Sequence, residues 1–253
     1  MQAESNDMTW TPFHVLGAER RTRWLVICDH ASNRVPPSVA DGDLGVAPAD
    51  MARHIALDVG AAGVAIRLAE KLGAPCVLSN FSRLVIDPNR GEDDPTLLMK
   101  LYDGTIIPAN RHADDAERER RLELCYRPYH AKVAEMAARQ DDTVIVSIHS
   151  FTRQFRGRPP RPWHVGMLFG DDDRLSRPLI DLLRDEPGLI VGENEPYSGH
   201  LEGDTIWRHA QQAGRQNTLI EVRNDLLHDD AAQGEWADRL ARILPQALAL
   251  AEA

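Results

Sequence analysis

Residues 143–151, TVIVSIHSF, constrain the fold more than any other stretch of the chain. A β-branched and aliphatic run broken only by Ser147 fits a strand buried on both faces, since a half-solvated strand would alternate apolar with polar residues. That predicts the centre of a mostly parallel sheet with helices packed on either side. The run ends abruptly in His149 and Ser150. The carboxyl edge of such a sheet is where ligands bind, because its loops vary while the strands hold their roots. A histidine there is either an active-site or metal-ligating group, or a ring merely hydrogen-bonded to a neighbouring loop.

Residues 23–28, RWLVIC, repeat the pattern and deliver Asp29, His30, Ala31, Ser32 and Asn33. Two strands that each present a histidine at the same edge are far less expected by chance than one, if they are neighbours in the sheet. Val35, Pro36 and Pro37 then force an extended exit. A helix is predicted over 50–72 from the spacing of Ile55, Val59, Ala62, Ile66 and Leu68, with Gly73 as its stop and Asp58 beside the apolar stripe. Residues 75–79 and 83–86 read as short strands.

A polar turn follows: Asp87, Pro88, Asn89, Arg90, Gly91. Arginine and asparagine close together on a loop can hold a carboxylate, or the turn side chains can simply stabilise their own backbone. Residues 114–139 predict a long helix that Pro128 should kink or split. Residues 152–162 form a basic, proline-rich loop, long enough for a lid, in which Arg153, Arg156, Arg158 and Arg161 either attract an anionic substrate or are simply solvated. Strands are expected at 164–169 and 189–191, helices at 174–184 and 204–212, and between them a loop holding Asn194, Tyr197, His200 and Glu202. A last strand, 218–222, carries Glu221 into Arg223, Asn224 and Asp225, and a carboxylate in an apolar strand is costly unless paired or used. An amphipathic helix, 232–251, closes the chain.

The alternation of strand and helix predicts an α/β fold, a three-layer α/β/α sandwich with a mostly parallel central sheet, and 253 residues fit a single domain. A net charge of −10 argues against a nucleic-acid binder, which needs a cationic footprint. No apolar run approaches the roughly 20 residues of a membrane span. The first 17 residues show no basic segment followed by an apolar one, so a cytoplasmic location is expected. Cys28, Cys76 and Cys125 are isolated and read as reduced core thiols. Oligomeric state is left open.

His30, His149 and Glu221 therefore gather at one predicted sheet edge. Catalytic zinc takes three protein ligands from imidazole and carboxylate and keeps a fourth position for water, whose pKa it lowers to about 7. A glutamate off the metal can take the water's proton and hand it to a leaving amine. There is no HExxH motif, so zinc is not implied by spacing alone.

Five ordered blocks, 29–33 (DHASN), 82–90 (SRLVIDPNR), 147–151 (SIHSF), 197–200 (YSGH) and 220–225 (IEVRND), together resemble the N-formylglutamate amidohydrolase family. That family is similar in fold to zinc carboxypeptidases and aspartoacylases, so the resemblance implies an α/β/α fold of phosphorylase/hydrolase-like type. The resemblance implies His30 and His149 as ligands of one divalent metal, expected to be zinc, and Glu221 as general base. It further implies Arg83, Asn89 and Arg90 as holders of the substrate carboxylate, and a role in histidine degradation. Carboxypeptidase-like enzymes carry a glutamate three residues after the first histidine, where this chain has Asn33. The resemblance extends to an Asp after the first motif and so implies Asp58, whose carboxylate supplies the missing charge, as the third ligand, with Asn33 as the fallback; His200 and Asn33 are further candidates for contact with substrate. The expected substrate is a small anionic molecule: an N-formyl or N-acyl acidic amino acid such as N-formyl-L-glutamate. Two other readings compete, a carboxypeptidase-like peptidase and a non-catalytic binding module for an anionic metabolite.

Overall fold

The computed structural model describes residues 10–253; of the stretch read for a targeting segment, residues 1–9 lie outside the described residues. In chain order these form β1 (Phe13–Leu16), β2 (Trp24–Cys28), α1 (Pro48–Met51), α2 (Ala61–Lys71), β3 (Cys76–Ser79), a small hairpin of β4 (Leu101–Tyr102) and β5 (Thr105–Ile106), α3 (Pro108–Arg111), α4 (Asp115–Arg121), α5 (Arg127–Ala137), β6 (Val144–Phe151), β7 (Val165–Leu168), α6 (Ser176–Arg184), β8 (Val191–Glu193), α7 (Thr205–His209), β9 (Asn217–Arg223) and α8 (Asp230–Ala251). The main sheet runs β1-β3-β2-β6-β9-β7-β8. Its centre is parallel, β3-β2-β6-β9, while β1 and β7 join antiparallel to β3 and β9.

Every residue of β2, β6 and β9 is buried, which is why their sequences show no polar alternation. The pleat sends alternate side chains to opposite layers. Trp24, Val26, Val144, Val146, Ile148 and Ile220 pack on one face with Ala61, Val64 and Leu68 of α2, Leu179 and Leu183 of α6, and Leu240 and Leu244 of α8. Leu25, Ile27, Ile145 and Leu219 pack on the other with Tyr129 and Val133 of α5. Full burial of one such side chain is worth about 1.5–3 kcal/mol, so both layers are needed to hold the sheet. Among the described residues no helix is long and apolar enough to cross a membrane. All three cysteines are buried.

Two local expectations are corrected and a third is met. The predicted helix over 50–72 breaks into α1 and α2, with turns between that carry Ile55 and Ala56 into the core. Gly60, at φ 81, turns the chain into α2, and a Cβ there would come within 2.4 Å of Leu227 Cβ. Residues 83–86 are not a strand but a buried turn, apolar because Leu84, Val85 and Ile86 fill the α5 side of the core. The long helix over 114–139 is split as expected near Pro128: α4 and α5 meet at a π-helical turn, Leu122–Tyr126, directly before the proline, and that wider turn accommodates its missing N–H within a continuously helical backbone.

Candidate metal centre and active site

The adjacency of β2, β6 and β9 sets the site. His30 follows the end of β2, His149 lies near the end of β6, and Glu221 stands directly across from His149 on β9. Asp58 reaches them from the turn before α2, where its backbone N–H donates to His30 O at 2.9 Å. The break in the predicted helix is what frees Asp58 to do so.

Nδ1 of His149 lies 2.7 Å and Nδ1 of His30 lies 3.3 Å from the same Asp58 oxygen, Oδ2. Ligand atoms of His30, Asp58 and His149 all fall within 4.8 Å of one another, and all three residues are buried. The outward nitrogens are each held by another carboxylate: His30 Nε2 lies 2.7 Å from Asp87 Oδ1, and His149 Nε2 lies 3.0 Å from Asp29 Oδ2. Carboxylates in this position fix the tautomer and orientation of metal-binding imidazoles and raise their basicity. The donor set, two imidazoles and one carboxylate, suits zinc or a similar divalent ion.

Both supporting carboxylates are satisfied. Asp29 Oδ2 also accepts from Ser147 Oγ at 3.2 Å, and its Oδ1 accepts from the Tyr129 and Thr205 hydroxyls, each at 2.8 Å. Asp87 Oδ2 takes the Nε and Nη2 donors of Arg83 at 3.1 and 2.7 Å. Burial alone would raise the pKa of Asp29, Asp58 and Asp87, but histidine and arginine neighbours hold all three well below the usual carboxylate range. His149 shows the converse: burial would lower its pKa, and hydrogen bonds to Asp29 and Asp58 raise it well above the usual imidazole value.

Glu221 is different. Burial pushes its carboxyl up to about 7, opposed by His149 and reinforced by Asp58. Its Oε2 is buried without a hydrogen-bond partner among the described residues. An unpartnered carboxyl with a pKa near neutrality is suited to collecting and releasing a proton.

His30, Asp58, His149 and Glu221 line one cavity of about 120 Å3, together with Arg83, Asn89 and Arg90. Asn89 Oδ1 accepts from Thr205 N at 3.1 Å, which leaves the amide NH2 as its donor. Arg90 is braced by Nη1 to Asn89 O at 2.7 Å and by Nε to Thr96 Oγ1 at 3.1 Å. Asp204, which caps α7 through Trp207 N, also lines the cavity, and burial pushes its pKa to about 6.

Two residues named from sequence are not brought to this cavity. The Asn33 amide donates to Met51 O at 2.8 Å and so fastens α1. His200 lies exposed, 3.9 Å from Asp171 at the surface. Asp29 and Asp87 were not singled out from sequence as imidazole supports. The available signal was their place: Asp29 directly precedes His30, and Asp87 opens the turn that carries Asn89 and Arg90.

The profile of the N-formylglutamate amidohydrolase family matches residues 22–228. Among solved structures, a gene product of Agrobacterium tumefaciens is 33% identical, with a TM-score of 0.90 over 96% of this chain and 97% of that one. N-formylglutamate amidohydrolase from Ralstonia eutropha JMP134 is 22% identical, with a TM-score of 0.67 over 93% and 98% of the two chains. A bacteriophage poly-gamma-glutamate hydrolase is 12% identical, with a TM-score of 0.50 over 94% and 89%. The last two, at their identities, report the fold alone. No curated protein matches the chain. The family match runs from β2 to the residues after β9 and so encloses both histidines, Asp58 and Glu221; the chain belongs to the N-formylglutamate amidohydrolase family.

Proposed function

We propose that this protein is a zinc-dependent amidohydrolase that removes the N-formyl or N-acyl group of an acidic amino acid such as N-formyl-L-glutamate. The observation that carries the reading is the convergence of His30, Asp58 and His149 beside the unpartnered Oε2 of Glu221 in one cavity. Nδ1 of the two histidines and Oδ2 of Asp58 would hold the ion. Zinc bound there supplies a Lewis acid for the amide carbonyl and acidifies water near pH 7.

The chain's own groups account for the rest. Glu221 accepts the proton of the attacking water and delivers it to the amide nitrogen as the C–N bond breaks, its buried Oε2 being free of any other hydrogen-bond partner among the described residues. Asp87 and Asp29 keep the two imidazoles oriented. Asn89 and Arg90 hold the carboxylate of the departing amino acid. Arg83, engaged by Asp87 and 3.5 Å from Asp58 Oδ1, contributes charge at the cavity wall rather than a free fork.

The basic loop favours a small substrate over a folded peptide. Phe155 packs against His54, with ring centroids 5.4 Å apart, and Arg156 N donates to Asp103 Oδ1 at 3.1 Å, so the loop is fastened across the rim. Elemental analysis and an N-formyl-L-glutamate assay test the proposal together. Near one zinc per chain is expected in the wild type and its loss in His149→Ala. Glu221→Gln should keep the metal and lose turnover by at least about a hundredfold, the lower end of what a general base contributes. A variant that keeps its rate would rule out Glu221 as the base.

A further inference from the structure

The two arginines that line the cavity each face a carboxylate: Arg83 lies 2.7 Å from Asp87, and Arg90 lies 4.0 Å from Asp94. Arg161, at the end of the basic loop, faces none within 4.0 Å among the described residues. Its guanidinium is nevertheless held in place. The Cζ lies 4.1 Å from the Phe155 ring centroid, 4.9 Å from Tyr197 and 5.8 Å from Phe151, and Nη1 donates to Thr152 O and Tyr197 Oη, each at 3.1 Å. Phe151, Thr152 and Tyr197 all line the cavity, so three of its wall residues carry this cation at the rim.

The use of donors is uneven. Nη1 makes both hydrogen bonds, while Nε and Nη2 have no acceptor among the described residues. Those two nitrogens form the side-on edge of the guanidinium, the edge that Arg83 turns toward Asp87. A planar fork fixed on aromatic faces, with that edge unused, is prepared for a bidentate carboxylate at little entropic cost.

We infer that Arg161 is the specificity-determining residue for a dicarboxylic substrate, taking the second carboxylate of an N-acyl acidic amino acid on its Nε–Nη2 edge while Asn89 and Arg90 hold the first. The inference rests on the amidohydrolase reading above. It assigns the preference for an acidic side chain to the loop after β6, outside the metal centre.

The test compares kcat/KM for N-formyl-L-glutamate and its neutral isostere N-formyl-L-glutamine in wild type, Arg161→Gln and Arg161→Lys, each checked for unchanged thermal melting. A charge-assisted bidentate pair predicts that the glutamate-to-glutamine ratio falls about ten- to hundredfold in Arg161→Gln, mainly through KM. Arg161→Lys keeps the charge without the fork and should retain part of the preference. A ratio unchanged in Arg161→Gln, or near one in the wild type, overturns the inference. Calorimetric titration with L-glutamate and L-glutamine separates this result from failure of the parent reading. Arg161-dependent preference for glutamate without turnover of either formyl compound would uphold the carboxylate assignment and reject the amidohydrolase. Neither turnover nor preferential binding would reject both.

Discussion

Ionised Glu221 should weaken the metal-free fold, and Glu221→Gln measures by how much. A rise from 4.5 to about 7 on burial corresponds to about 3 kcal/mol between the two protonation states. Because the folded pKa lies above the unfolded one, the folded state binds more protons between those values. The stabilising contribution is therefore complete below about 4.5 and is lost as pH rises through 7. Glutamine does not titrate, so any constant effect of its amide cancels when two pH values are compared. The stability of Glu221→Gln relative to wild type should thus improve by about 2–3 kcal/mol between pH 5 and pH 8, or roughly 5–10 °C in Tm for a chain of this size. The assay is paired thermal or urea unfolding with a chelator present, since a divalent ion nearby would favour the carboxylate and mask the effect. A difference that stays constant across this range, or grows toward acid, would refute the burial argument.

Two further variants probe how the centre and its rim are held. Asp87→Asn, which weakens the acceptor for His30 Nε2, should lower metal affinity about 10- to 100-fold in competition with a chromophoric chelator; unchanged affinity would remove Asp87 from the support of that ring. Gly199→Ala places a Cβ 2.1 Å from Phe169 N, a backbone atom that cannot swing aside, and should cost about 1–3 kcal/mol in chemical unfolding while lowering turnover through displacement of Tyr197.

His30, His149 and Glu221 were legible in the sequence because each ends or nearly ends a strand with no polar alternation, and such strands sit at the centre of a parallel sheet. Asp58 was legible from pattern only as a carboxylate near an apolar stripe, and as a candidate ligand only through the family resemblance. Its route to the site depends on the chain leaving the helix between α1 and α2, which Gly60 enforces and periodicity did not reveal. Asp29 and Asp87 escaped notice because the pairings that define them span 120 and 57 residues, beyond any local pattern. Residues 83–86 misled for the same physical reason that made β6 plain: burial selects apolar residues whether the backbone is extended or turning. Asn33 and His200 show the reverse error, since a polar residue next to a motif can serve a backbone carbonyl or simply meet solvent.

Asp29 joins parts of the molecule that the sequence keeps far apart. Its four donors come from Ser147 and His149 on β6, Tyr129 on α5 and Thr205 on α7. The same Thr205 hydroxyl also lies 3.3 Å from Pro88 O, in the turn that presents Asn89. One carboxylate thus braces both the His149 ring of the candidate metal centre and, through Thr205, the turn that presents Asn89. On the proposed function, a change as small as the loss of the Tyr129 hydroxyl would be felt at the candidate metal centre and at the Asn89 turn at once, so metal affinity and substrate KM should drift together rather than one at a time.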